Sequence, residues 1–291
     1  MISLDHITLK YRTGKGISDI SFSIREGHVT GYLGPNGAGK TTTIRCLMGF
    51  MKPDSGTCTI NGLDCYRDAA AIKTLVGYIP GEIMFPSGMT CKEYLHYQCE
   101  LRKQKDLSRM KELMERFQLD AKGNLQRFSK GMKQKVGIVT AFMSDPQVLI
   151  LDEPTSGLDP LMQNEFIRLI LEEKERGKTI LISSHIFDEI ERTCDDVIII
   201  KDGSVMIQSD VKKLTSTKQK GYCIHTPDID KVKNFGYRVD VISSNECIVY
   251  VRGEETADFF RKLGTITVFD LDVKAQTLED IFLHYYQMEE Q

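Results

Sequence analysis

The sequence predicts an α/β fold: a parallel sheet covered on both faces, with an antiparallel β portion, a helical insertion, and a small α+β domain at the end. Three observations predict it. Short, almost wholly apolar runs rich in β-branched residues occur at 148–151, 179–182 and 197–200, separated by helical stretches, as a sheet buried on both faces requires. Another short apolar run, 29–33, feeds directly into a glycine-rich loop. After residue 220 the pattern changes to short strands and helices in the order βαββαβ, the ferredoxin-like arrangement.

Taken in order, 2–11 and 17–24 alternate apolar and polar residues and read as antiparallel strands before the turn at Glu26-Gly27. A helix is expected over 42–50, after the glycine-rich loop. The helical insertion spans about 85–145. It holds Thr90-x-x-Glu93 at capping-box spacing, and Met110, Leu113, Met114 and Phe117 on one helix face behind Ser108 as N-cap. Asp202-Gly203 reads as the turn of a hairpin reaching 205–208. In the second domain, strands are expected at 222–225, 238–242, 247–251 and 266–271, and helices at 228–235 and 254–263. A last helix would start at Thr277-x-x-Asp280 and carry Leu278, Ile281, Phe282 and Tyr285 on one side. The polar stretch 215–220 is the expected linker, which gives domains at 1–214 and 221–291.

Composition narrows the function classes. The chain has 291 residues, 41% of them apolar and 27% charged, with a net charge of -3. That is a globular balance, and its mild acidity speaks against a nucleic-acid partner, which usually calls for a strongly basic surface. No apolar run approaches the ~20 residues that span a bilayer, and the first residues alternate like a strand rather than a secretory signal. The chain is therefore expected in the cytoplasm. Eight cysteines are scattered without a Cys-x-x-Cys pair and read as small buried apolar residues rather than disulfides or a zinc site.

The chemistry begins at Gly34-Pro35-Asn36-Gly37-Ala38-Gly39-Lys40-Thr41, followed by Thr42. This fits G-x-x-x-x-G-K-[ST] between a strand and a helix. Glycines let backbone N–H groups turn onto phosphate oxygens, and the helix N-terminus adds partial positive charge. Lys40 would neutralise the β- and γ-phosphates of ATP, and the Thr41 hydroxyl would ligate Mg²⁺. The run 148–151 ends in Asp152-Glu153, at the C-terminal edge of a strand where ligands bind in open α/β sheets. Asp152 is placed to hold Mg²⁺, directly or through water. Glu153, pointing elsewhere, suits a base that orients or deprotonates the attacking water.

These residues carry a family resemblance over about 2–210. The chain resembles the nucleotide-binding subunits of ABC transporters. Phe128-Ser129-Lys130-Gly131-Met132 is similar to the family's LSGGQ segment, with a helix expected over 133–143. Ser156-Gly157-Leu158-Asp159 is similar to its D-loop, Ser184-His185 to its switch histidine, and Tyr11 stands where the family stacks an aromatic ring on adenine. The resemblance implies a P-loop ABC ATPase core that works as a homodimer or heterodimer around two ATP molecules. Ser129, Lys130, Gly131 and Asp159 would face the nucleotide of the opposite subunit, and His185 the γ-phosphate and attacking water. Ser129 can serve as an N-cap at the same time, and packing is the alternative role for Tyr11.

Two departures stand out. Lys130 and Met132 replace glycine and glutamine in the signature. The glutamine expected after Gly77-Tyr78-Ile79-Pro80 is absent, Gly81-Glu82 standing there, and Glu82 would substitute as a hard-cation ligand. The variants around Glu82, Asp159 and 277–282 resemble ATPases paired with ABC-2-type exporters of peptides, antibiotics or lipids. That implies an integral-membrane permease as partner, on the inner face of the cell membrane. A soluble ABC ATPase of translation or DNA repair is the alternative. A third reading, a non-hydrolysing regulatory partner, is disfavoured by the intact Glu153.

Overall fold

The computed structural model describes residues 1–216, 219–274, 278, 279 and 282. It forms two compact units, Met1–Asp210 and Val211–Gln291.

The first unit opens with β1 (Ile2–Lys10) and β2 (Gly16–Ile24), then β3 (Val29–Leu33) and α1 (Lys40–Leu47). β4 (Ser55–Ile60) and β5 (Leu63–Asp64) form a short hairpin, followed by α2 (Ala69–Leu75) and β6 (Val76–Ile79). The helical insertion is α3 (Cys91–Leu101), α4 (Ser108–Arg116) and α5 (Lys130–Phe142). The chain then alternates through β7 (Val148–Asp152), α6 (Pro160–Glu175), β8 (Thr179–Ser184), α7 (Phe187–Thr193), β9 (Asp196–Lys201) and β10 (Ser204–Asp210).

Two sheets result. β2-β1-β4-β5 is antiparallel. β1 and β2 alternate except where register shifts near His6 and Asp19, both at positive φ, change the parity, and together these put Ile2, Leu4, Ile7, Leu9, Ile17, Ile20, Phe22 and Ile24 into the core. The larger sheet, β10-β9-β3-β8-β7-β6, is parallel except for its antiparallel edge strand β10. Its inner strands β3, β7 and β8 are buried at every position, which explains their apolar stretches, such as Val148–Leu151 and Ile180–Ile182. The open α/β order delivers the C-terminal ends of β3, β7 and β8 to one edge.

Most expected elements form, with local differences. Thr90 caps α3 in a capping box with Glu93. Ser108 does not cap α4: it is the first helical residue, and its N–H and hydroxyl both donate to Asp106 Oδ1, at 2.9 and 2.6 Å. The charged Asp106 oxygen is the stronger acceptor, so the Ser108 hydroxyl donates to it instead of accepting from the helix. The helix expected at 133–143 starts three residues earlier, because the Ser129 hydroxyl accepts from the Met132 N–H and caps it there. The helix expected at 42–50 runs Lys40–Leu47 and ends at Gly49, where φ is +65°. Asp202-Gly203 makes its turn with φ of 47° and 81°, both positive as a type I′ hairpin requires. All eight cysteines are free and buried.

The second unit holds α8 (Val211–Ser216), β11 (Gln219–His225), α9 (Ile229–Lys233), β12 (Arg238–Ser243), β13 (Glu246–Arg252), α10 (Thr256–Leu263) and β14 (Asp270–Lys274). Its antiparallel sheet, β12-β13-β11-β14, has the ferredoxin-like strand order. Tyr222, Val249, Val251 and Phe259 lie at its core. The last strand forms later than expected. Asp228 and Thr226 side chains hold the backbone of Thr267, so 266–269 is an irregular segment and pairing begins at Asp270. The linker expected at 215–220 is part helix and part strand, with 217 and 218 outside the described residues. Of the expected final helix, Thr277, Asp280, Ile281 and Tyr285 lie outside them too.

Candidate functional site: a phosphate loop beside a Glu–His pair

β3 is fully buried, and its Tyr32 hydroxyl meets Thr43 of α1 at 3.0 Å, so strand and helix are locked on either side of the Gly34–Thr41 loop. Gly39 sits at φ +111° as the N-cap of α1, a conformation that side chains other than hydrogen disfavour. The loop is thereby curled with its first helical N–H groups open to a ligand. A cavity of about 320 Å³ lies over it, lined by Tyr11, Lys15, Asn36, Lys40, Thr42 and Glu153 among others.

Lys40 is 6% exposed. Its ammonium donates to Gly34 O at 2.5 Å and to Pro35 O at 3.4 Å, and lies 3.3 Å from Glu153 Oε1. β7 ends in Asp152, which is fully buried. Thr41 Oγ1 donates to Asp152 Oδ2 at 2.8 Å, and the Ser183 hydroxyl of β8 donates to the other oxygen. Glu153 turns away from the strand direction at φ +50°, with its N–H held by Ser183 O at 3.1 Å. That turn sends its carboxylate over the loop, and Glu153 Oε2 meets His185 Nδ1 at 2.6 Å. Lys40, Thr41, Asp152, Glu153 and His185 therefore converge, as the sequence suggested. The convergence comes from strand register: β7 and β8 are parallel neighbours pairing Asp152 with Ser183.

Tyr11 lines the cavity and also packs on the core, its hydroxyl 3.3 Å from Thr42 Oγ1 and from Met51 Sδ. Ser129, Lys130, Gly131 and Asp159 are not brought to that cavity. Lys130 donates to Ser156 Oγ at 2.7 Å, Gly131 lies against Gly157 O, and Asp159 caps α6 through Met162 N–H at 3.0 Å. Ser129 and Asp159 are exposed. Glu82 is not at Asp152 either. Gly81 is, since a Cβ there would sit 2.9 Å from Asp152 Oδ2. Glu82 instead lines a separate cavity of about 380 Å³ with Lys130, Lys133 and Gln134, and its carboxylate makes no hydrogen bond or ion pair with the described residues.

Three residues at this site were not legible beforehand. Ser183 orients Asp152 and carries the Glu153 N–H. Gln134, 3% exposed on α5, donates to Pro154 O at 2.7 Å and ties the helical insertion to the loop after Glu153. Glu189, on α7, is 3% exposed, and burial raises its carboxyl from 4.5 to about 6. Ser183 could have been found by aligning the C-terminal ends of the two apolar runs; the other two depend on helix packing.

Comparison with known proteins agrees with this geometry. A family model described as ABC transporter matches residues 17–156. The chain is 37% identical over 216 residues to the ABC transporter ATP-binding protein NatA of Bacillus subtilis (strain 168), covering 72% of this chain and 88% of that one. It is 38% identical over 210 residues to the bacitracin transport ATP-binding protein BcrA of Bacillus licheniformis, covering 71% and 68%. Among solved structures, an ATP-binding subunit of an ABC transporter superposes with a TM-score of 0.68 at 30% identity, over 74% of this chain and 91% of that chain. A dimeric ABC cassette bound to ADP and Pi shares the fold, with a TM-score of 0.66 at 22% identity over 72% and 99%. The phosphate loop, the acid pair, the histidine and these likenesses together establish that the chain belongs to the ABC transporter family, as an ATP-binding subunit and an ATPase.

Proposed function

We propose that the chain is the ATP-hydrolysing subunit of an exporter, working as one half of a face-to-face dimer that encloses two ATP molecules. The observation that carries this reading is the split of the site. Lys40, Thr41 and Glu153 line one cavity, with Asp152 bonded to Thr41 and His185 to Glu153, while the Ser129 helix tip is exposed and outside that lining. A capped helix start with free N–H groups is an anion site, and a second chain supplies the phosphate for it. The accessory domain at 221–291 is assigned to the same subunit, with Tyr11 against the base.

The residues do the following. Lys40 exchanges its carbonyl partners and Glu153 for phosphate oxygens, which frees Glu153 Oε1 to receive a proton from the attacking water. His185 holds Glu153 Oε2 through Nδ1, leaving Nε2 for the γ-phosphate. Closure of the dimer excludes bulk water. Magnesium fits the site: the Thr41 hydroxyl and the Asp152 carboxylate, already neighbours at 2.8 Å, are the hard oxygen donors that would hold it. When bound, that ion supplies charge neutralisation on the phosphates. Glu82 belongs to this donor set only through a shift of the 81–83 loop.

We assign the membrane path to a separate permease; among the described residues no helix is long and apolar enough to cross a membrane. The bacitracin transport relative and another 34% identical, the probable multidrug ABC transporter ATP-binding protein YbhF of Escherichia coli (strain K12), support export, through an ABC-2-type permease on the cytoplasmic face. These transport relatives also weigh against the soluble reading. Two experiments test the proposal. Glu153→Gln with ATP and magnesium should double the mass seen by light scattering, and the wild-type chain should co-purify from membranes with a polytopic protein. A chain that stays monomeric while turning over ATP at full rate overturns it.

A further inference from the structure

His185 is held oddly for a group that must aim a ring nitrogen. Its side chain is 53% exposed, and its one hydrogen bond among the described residues is to Glu153. Packing therefore does little to fix the ring, and its position follows from the backbone of residues 184–186. That backbone is pinned by one hydroxyl. Ser184, 1% exposed, accepts from the Ile186 N–H at 3.0 Å and donates to Glu189 Oε2 at 2.7 Å. The hydroxyl thus spans His185, and its direction is set by a carboxylate one turn into α7.

Glu189 also faces the other loop of the site. The Thr155 hydroxyl, two residues beyond Glu153, approaches the same carboxylate, and the Glu153 charge is felt there. Its second oxygen, Oε1, is sealed from solvent with no hydrogen bond. An apolar residue would fill this place without the desolvation cost of a buried carboxyl. Such a cost, kept between the two loops that carry the reacting groups, marks a functional constraint rather than a packing one.

We propose that Glu189 is a positioning residue for ATP hydrolysis, acting through Ser184 to hold the His185 turn at hydrogen-bond distance from Glu153. The inference rests on Glu153 and His185 being the hydrolytic pair, and the experiment separates the two claims. Steady-state ATPase rates and nucleotide affinity are measured for His185→Ala, Glu189→Ala, Glu189→Gln, Ser184→Ala and the double variant His185→Ala/Glu189→Ala. Glu189→Ala and Ser184→Ala should each lower kcat by about tenfold or more, as expected for a misplaced reacting group, with ATP affinity unchanged. Glu189→Gln, whose amide oxygen still accepts from Ser184, should recover most of the rate. The double variant should be no slower than His185→Ala alone, because the two act as a unit.

If the two losses multiply, or if Glu189→Ala keeps the wild-type kcat while His185→Ala is impaired, the positioning role is wrong and the pair stands. If His185→Ala itself keeps full activity, the pair is wrong. Should Glu189→Ala fail to fold, Ser184→Ala and Glu189→Gln carry the same decision: unchanged kcat in the first, or a loss in the second as large as in His185→Ala, overturns the proposal.

Discussion

Replacing Glu189 by glutamine tests the buried carboxyl through stability, independently of catalysis. Burial raises its pKa from 4.5 to about 6 in the folded chain, so the folded state holds this proton more tightly than the unfolded one. The stabilisation is full below 4.5 and is lost as pH rises through 6. At pH 7.5 the ionised carboxyl therefore costs the fold about 2 kcal/mol relative to a neutral one, and at pH 5 about 0.8 kcal/mol. Glutamine removes this dependence. Its new N–H₂ group adds an offset from local hydrogen bonding, but that offset does not vary with pH. The difference between variant and wild type should then be about 1 kcal/mol more favourable at pH 7.5 than at pH 5, equivalent to roughly 2–4 °C in Tm for a unit of this size. Thermal unfolding of both proteins without nucleotide, followed by far-UV circular dichroism at the two pH values, reads it directly. The same increment at both values, or a larger one at pH 5, would refute the reasoning.

Three other outcomes follow from the geometry. A Cβ on Gly131 would lie 2.5 Å from Gly157 O, so Gly131→Ala should push the α5 tip off the 156–158 turn, cost about 1–3 kcal/mol and lower ATPase activity, checked by urea unfolding and turnover. Arg116 of α4 holds Glu165 and Glu172 of α6 at 2.5 Å and is 14% exposed; Arg116→Met should destabilise by about 1–3 kcal/mol, less in high salt, measured by unfolding at two ionic strengths. Asp152→Asn keeps the shape of the site but not the charge facing Thr41, and should reduce ATP hydrolysis by about a hundredfold or more with little change in Tm.

Where local chemistry decides structure, the sequence was readable. Gly34–Thr41 carries its own instructions in glycines and a lysine, and the runs at 148–151 and 179–182 could only be strands buried on both faces. Thr90 and Glu93 cap a helix through contacts three residues apart. The β4–β5 hairpin has a local signal: Asn61-Gly62, at φ 50° and 81°, is a type I′ turn pair set between Ile60 and Leu63. Other features depend on partners distant in sequence. Ser108 lost its capping role to Asp106 because a charged acceptor two residues earlier binds both donors. The strand expected at 266–271 slid to Asp270–Lys274 because Thr226 and Asp228, some forty residues away, take over the backbone of Thr267. Glu189 could not be singled out at all, since only the packing of α7 against β8 makes it buried. Glu82 was placed by analogy with a missing glutamine, and the fold sets Gly81 at Asp152 in its stead.

The central claim, that nucleotide is clamped between the Lys40 loop of one chain and the Ser129 tip of another, is tested most directly by cross-linking. Asn36 and Ser129 are exposed, while all eight native cysteines are buried, so Asn36→Cys/Ser129→Cys in a Glu153→Gln chain offers two reactive thiols. With ATP and magnesium, a short bismaleimide should give a covalent dimer on a denaturing gel that disappears when nucleotide is omitted. Links formed only within one chain, or a dimer band indifferent to ATP, would contradict the account.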